Sequence, residues 1–123
     1  MQFVTPTPNT KNLEFNISPD QLKELLAKRD KVRVIDVRER EEWDICHLPE
    51  AELFPMSRFS ESQEELMEVE DPIVVYCHHG IRSAGVCSQL RYLGKGNVFN
   101  LSGGIDRWSA EVDPTVPTYS TTS

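Results

Sequence analysis

Residues 73–76, Ile-Val-Val-Tyr, form an unbroken apolar run bounded by Asp71-Pro72 on one side and Cys77 on the other. Such a run is too short for a stable helix. With no alternation of polar and apolar positions, it suits a strand covered on both faces. Strands of that kind belong to parallel sheets, whose crossover connections lay helices over each face.

The remaining segments supply the alternation that a parallel sheet needs. Leu13 to Ile17 is a short strand candidate, and Ser18-Pro19-Asp20-Gln21 offers an N-cap, a proline at the first helical position and a glutamine to close a capping box. The helix expected there carries Leu22, Leu25, Leu26 and the stem of Arg29 on one face. Val32 to Val37 is rich in β-branched residues and reads as a strand, EREEWDI as a short helix or helical turn, and Ala51 to Phe54 as a brief strand before Pro55. Ser57 to Val69 has helical period, with Phe59, Leu66 and Val69 available for a core. Arg82 to Leu93 is a further helix stopped by Gly94, Asn97 to Leu101 a last strand, and Gly103-Gly104 leads into a helix around Asp106 to Glu111. The pattern predicts an α/β fold with a central, mainly parallel five-stranded sheet and helices on both faces.

At 123 residues the chain has the mass for one core. The domain is expected over residues 13–112. The Thr-, Pro- and Asn-rich residues 1–12 and the closing residues 113–123 are expected to form extended arms. Twenty acidic against thirteen basic residues give a formal charge of −7, which repels a polyphosphate backbone, so nucleic acid is not an expected partner. No apolar run approaches the roughly 18 residues that span a bilayer. The opening MQFVTPTPNTKN has neither the basic start nor the apolar centre of a secretion signal, so a cytoplasmic, monomeric protein without membrane contact is expected. Cys46, Cys77 and Cys87 are odd in number and lack C-x-x-C spacing, which indicates neither a disulfide framework nor a zinc cage.

In open parallel sheets the working site lies beyond the carboxyl ends of the strands, where neighbouring connections depart in opposite directions. Cys77 falls at such an end. A tight loop through His78, His79, Gly80 and Ile81 into a helix near Arg82-Ser83 aims backbone N–H groups inward, and the helix dipole adds positive potential. A thiolate, the attacking form of cysteine, is an anion suited to that place. Gly80 allows positive φ, and Arg82 can serve either as an anion fork or as a clamp on the loop. Cysteine-based phosphatases carry C-x5-R around a tetrahedral phosphate, whereas Cys77 to Arg82 is C-x4-R. The smaller cup is better matched to one extra sulfur on the cysteine than to a phosphoryl group.

These residues resemble the single-domain rhodaneses, or sulfurtransferases. VVYCHHGIRSAGV is similar to their active-site loop, VIDVREREEWDICHLPEAELFPMSRF to their "D-V-R … E-[FWY] … H-[IL]-P-x-A" segment, and NVFNLSGGIDRW to their closing "N-[VL]-x-G-G … W" segment. The likeness runs from about Ile17 to Trp108, and the tail VDPTVPTY resembles the rhodanese domain attached to adenylating sulfurtransferases. The resemblance implies a rhodanese-like fold in which Cys77 takes a sulfane sulfur from a thiosulfate-like donor as a persulfide and passes it to a thiol, cyanide or protein acceptor. It implies a substrate-binding loop of His78, His79, Gly80, Ile81, Arg82 and Ser83 that holds the outer sulfur, and no cofactor. Asp36 and Arg38 match D-V-R and are implied as supporting residues, Arg38 being the better placed for anion contact; His47 matches H-x-P. Cys46 and Glu50 stand where the family usually, or often, has glycine, which bears on local turn geometry.

Plainer roles stand beside these. His78 and His79 offer acid–base help, metal ligation or neither; adjacent side chains usually diverge and no further ligands are evident, so no metal is expected. Cys87 shares a helix with Val86 and Leu90 and reads as core. Cys46 reads as a small turn residue or a second thiol. Trp43 and Trp108 read as packing anchors. Two other functions remain open at this level. One is a persulfide carrier or recruitment module with little small-molecule turnover, the other phosphatase or arsenate-reductase chemistry on a similar loop, which the C-x4-R count disfavours.

Overall fold

In the computed structural model, residues 15–28 and 31–120 are described. The arm expected over residues 1–12, together with Leu13 and Arg29, lies outside them. Five strands, β1 (Asn16–Ile17), β2 (Arg33–Asp36), β3 (Ala51–Leu53), β4 (Ile73–Tyr76) and β5 (Val98–Leu101), form one sheet in the order β1-β5-β4-β2-β3. All pairings are parallel. The helices are α1 (Pro19–Ala27), α2 (Arg40–Ile45), α3 (Phe59–Glu68), α4 (Ile81–Tyr92) and α5 (Gly104–Glu111), with a 3-10 turn at Met56–Arg58 ahead of α3.

The start of α1 follows from its sequence. The Ser18 hydroxyl accepts from the Gln21 amide at 3.1 Å and the Gln21 side chain accepts from the Ser18 amide at 2.7 Å, the reciprocal pair expected of Ser-x-x-Gln. Of the expected apolar face, Leu22 is fully buried while Leu25 and Leu26 are half-buried.

All four residues of β4 are buried, and the two-residue period of the strands sorts the core into two layers. Ile35, Val37, Ile73, Val75 and Val98 pack with Leu66 of α3 and with Val86, Cys87 and Leu90 of α4. Val34, Val74, Tyr76 and Leu101 pack on the other face with Leu22 of α1 and with Ile105 and Trp108 of α5. Val116, beyond the last helix, joins this second layer with Tyr119 packed against it, so residues 113–119 return to the domain surface.

The strand order fixes where a site can form. From β2 the chain moves outward to β3, and from β4 it moves the other way to β5. The carboxyl ends of β2 and β4 therefore flank the crevice between diverging connections, and Asp36-Val37-Arg38 and Cys77 stand at those two ends.

Candidate active site

The loop from β4 to α4 wraps the Cys77 sulfur in its own backbone. Gly80 donates its amide to Sγ at 3.1 Å and Ser83 donates its amide at 3.4 Å. The Ser83 hydroxyl lies 3.4 Å from Sγ and 2.5 Å from Oδ1 of Asn100. Its one hydrogen goes to the nearer, amide oxygen, so the hydroxyl oxygen is left free to accept from Cys77 when the sulfur is a thiol. Gly80 has φ +97°, a left-handed conformation that caps α4 and that only glycine adopts without strain.

Three carbonyls of the same loop face away. Cys77 and His78 give their oxygens to the amides of Ile105 and Asp106, at 2.9 and 3.1 Å, in the first turn of α5. Gly80 gives its oxygen to Asn100 Nδ2 at 3.2 Å and to the Ala84 amide at 3.2 Å. Among these groups the polarity is sorted, with the hydrogens of Gly80 and Ser83 toward sulfur and the oxygens of Cys77, His78 and Gly80 toward α5, β5 and the first turn of α4. Gly104 makes this possible: its φ is +63°, and a Cβ there would overlap the carbonyl oxygens of Cys77 and His78. The Gly103-Gly104 turn braces the loop from behind.

The two histidines do not diverge as adjacent side chains usually do. Their ring centroids lie 3.9 Å apart, and both face Asp106, whose carboxylate is 4.0 Å from Nε2 of His78 and 3.7 Å from Nε2 of His79. The three ligating atoms all lie within 4.8 Å of one another, looser than the about 3.3 Å between neighbours around tetrahedral zinc with 2.0–2.1 Å bonds. Burial, then the charge of His79, push the His78 imidazole below its ordinary value, which favours its neutral form.

Arg82 acts as a clamp. Its Nη1 and Nη2 donate to the two carboxylate oxygens of Glu42 at 2.8 and 2.9 Å, a bidentate pair from α4 to α2. Hydrogen bonds from Arg82, helped by one from Tyr119, hold Glu42 down to about 2. Ile81 is 63% exposed, which places its side chain outside the cup.

Arg38, the expected anion contact, is committed inside the protein. Fully buried, it pairs with Asp36 through Nε at 2.9 Å and Nη2 at 2.6 Å, and also donates to the Cys46 carbonyl at 2.6 Å and to the Tyr119 hydroxyl at 2.7 Å. A buried guanidinium with this many acceptors is a structural tie between β2, α2 and the C-terminal segment. Cys87 is fully buried, and burial pushes its thiol well above the ordinary range, as suits a core residue. Cys46 ends α2, with Sγ donating to the Pro117 carbonyl at 3.2 Å. His47 is exposed and stacks on Trp43 at 3.8 Å. Glu50 has φ +66°, the left-handed region in which glycine is favoured.

Four residues of this arrangement were given no role by sequence reasoning, Glu42, Asn100, Asp106 and Tyr119, although Glu42 falls at the glutamate of E-[FWY] and Asn100 at the asparagine of N-[VL]-x-G-G. Asn100 carried a readable signal, as a polar residue between Phe99 and Leu101 in a strand whose neighbour ends at the nucleophile.

A sulfur-cradling loop at the switch point of a five-stranded parallel sheet defines a class, and the comparisons agree with it. The family model of the Rhodanese-like domain matches residues 18–111. The chain belongs to that family. It is 37% identical over 87 residues to the thiosulfate sulfurtransferase GlpE of Coxiella burnetii, covering 71% of this chain and 79% of that protein. It is 33% identical over 104 residues to the probable adenylyltransferase/sulfurtransferase MoeZ of Mycobacterium tuberculosis, covering 84% of this chain but only 26% of that protein. The chain thus spans about a quarter of the length of that larger relative. Among solved structures, a rhodanese-related protein from Thermoplasma volcanium superposes with a TM-score of 0.71 at 30% identity, covering 85% of this chain and 98% of the other. The human single-domain sulfurtransferase TSTD1 gives 0.68 at 26% identity, covering 80% and 98%. The family therefore includes named sulfurtransferases of this chain's size. Among the described residues, no helix is long and apolar enough to cross a membrane.

Proposed function

We propose that this chain is a sulfurtransferase that carries sulfane sulfur on Cys77. The Cys77 thiolate attacks the outer sulfur of thiosulfate or a persulfide donor. A new S–S bond forms, the donor's S–S bond breaks, and sulfite or the donor thiolate leaves with the electron pair. A nucleophilic acceptor, whether a thiol, cyanide or a protein group, then attacks the outer sulfur, and Cys77 departs as thiolate. Electrons and atoms balance on the chain's own sulfur, with no cofactor in the sequence of steps.

The observation that carries this reading is the sorted loop. Amides of Gly80 and Ser83 aim at Sγ while the carbonyls of Cys77, His78 and Gly80 turn away. Such a cradle stabilises negative charge on sulfur both before attack and on departure, and no reorganisation is needed at either moment. The C-x4-R length and the names of the relatives support sulfur over phosphate as cargo.

Reduced protein treated with thiosulfate and then measured by intact mass is expected to gain one sulfur atom, which cyanide or excess thiol removes. Cys77→Ser is expected to gain none, with turnover down at least about a thousandfold and the fold retained. Unaltered protein that stays at its original mass, or Cys77-dependent hydrolysis of an aryl phosphate, overturns the reading.

A further inference from the structure

The segment after α5 is fastened at successive points. The Asp113 amide donates to the Trp108 carbonyl at 3.0 Å, the Val116 amide to the Asp113 carbonyl at 3.1 Å, and the Ser109 hydroxyl to the Val116 carbonyl at 2.5 Å. Val116 enters the core layer, Cys46 donates to Pro117, and Pro114 and Pro117 restrict the backbone between these anchors. The strap ends with Tyr119 lying over the Cys77 loop. Its ring stacks on His78 with centroids 4.0 Å apart and planes 11° from parallel.

The Tyr119 hydroxyl joins two ion pairs. It accepts from Arg38 Nη1 at 2.7 Å and donates to Glu42 Oε2 at 2.8 Å. This direction is forced, because a guanidinium can only donate and a carboxylate can only accept. Glu42 in turn holds Arg82 of the loop. One chain of charge-assisted bonds therefore runs Asp36–Arg38–Tyr119–Glu42–Arg82, from the end of β2 to the first turn of α4.

We propose that Tyr119 is a positioning residue for the sulfur-transfer loop, setting Glu42 and hence Arg82 through its hydroxyl and His78 through its ring. It touches no reacting atom. Its effect is to hold the loop in the arrangement whose amides face Sγ, so that uptake of sulfur by Cys77 depends on a side chain 42 residues further along the chain. A phenylalanine would keep the stack and lose both hydroxyl bonds, leaving a buried Arg38 nitrogen without that acceptor.

This inference rests on the sulfurtransferase reading, and two measurements keep their failures apart. In single-turnover loading by thiosulfate at a temperature where both proteins are folded, followed by intact mass, Tyr119→Phe is expected to slow uptake about tenfold, with the melting temperature lowered by about 3–10 °C for the stranded Arg38 nitrogen. Glu42→Gln is expected to slow it about equally, and the double variant no further, because hydroxyl and carboxylate act as one unit. Uptake within about twofold of the unaltered rate in Tyr119→Phe, or losses that multiply in the double variant, overturns the proposal. If the unaltered protein takes up no sulfur, the functional reading falls and the loop is judged by backbone hydrogen exchange. Faster exchange at the Gly80 and Ser83 amides in Tyr119→Phe, by about tenfold, upholds the positioning role, and unchanged exchange overturns it.

Discussion

The floor and the rim of the site are built from different materials. The floor is backbone: amides of Gly80 and Ser83 under the sulfur, with carbonyls tied to the first turn of α5 and to Asn100. The rim is side chain: Arg82 on Glu42, Glu42 on Tyr119, Tyr119 on Arg38. A floor of peptide groups tolerates almost any side chain but depends on φ and on close approach, so its vulnerable positions are glycines. A rim of paired charges depends on partners being present together, so removing one member strands the next.

The sharpest way to break the floor while sparing the rim is Gly104→Ala. The added methyl meets the carbonyls of Cys77 and His78 at a left-handed φ, and neither backbone group can yield without losing its bond to α5. The expected cost is about 3 kcal/mol or more by denaturant titration, with sulfur loading lost alongside.

Glu42→Gln tests the rim and should be milder, about 1–2 kcal/mol, since both fork bonds weaken while the floor stays intact. It also carries a pH signature. The Glu42 carboxyl is held down to about 2 by Arg82, then Tyr119, whereas in the unfolded chain it titrates in the ordinary range. Between that range and about pH 2 the unfolded state binds more protons, so stability falls as pH falls through this window and is fully present above it. In Glu42→Gln that component of the acid-side slope should be missing. An unchanged slope by pH-dependent denaturation would mean that Glu42 is not held as described.

The smallest expected effect lies outside both regions. Glu50→Gly relieves a φ of +66° on a glutamate at some cost in unfolded-state entropy, for a net gain of about 0.5 kcal/mol and no change in loading rate. A loss of stability there would show that the Glu50 side chain contributes contacts outweighing its backbone conformation.

The same division explains what could be read from the sequence. The β4 run, the Ser-x-x-Gln cap, the glycines and the cysteine at a strand end are local signals, and each marks backbone geometry within a few residues. They sufficed for the parallel sheet with helices on its faces. The rim joins residues 40 and 77 positions apart, and no local periodicity announces that Glu42 meets Arg82 or Tyr119. Arg38 shows the same difficulty from the other side. Arginine beside a nucleophilic loop reads as an anion contact, and only the packed structure reveals that Asp36, Cys46 and Tyr119 have already claimed it. The terminal stretch read as an arm because its prolines and threonines lack periodicity, yet one valine and one tyrosine are enough to lay it back on the domain.

Only 1% of Cys77 reaches solvent. A sulfur atom attached to it would stand about 2.05 Å beyond Sγ. The loop that stabilises charge on the sulfur therefore also shades the thiol from peroxide and stray electrophiles.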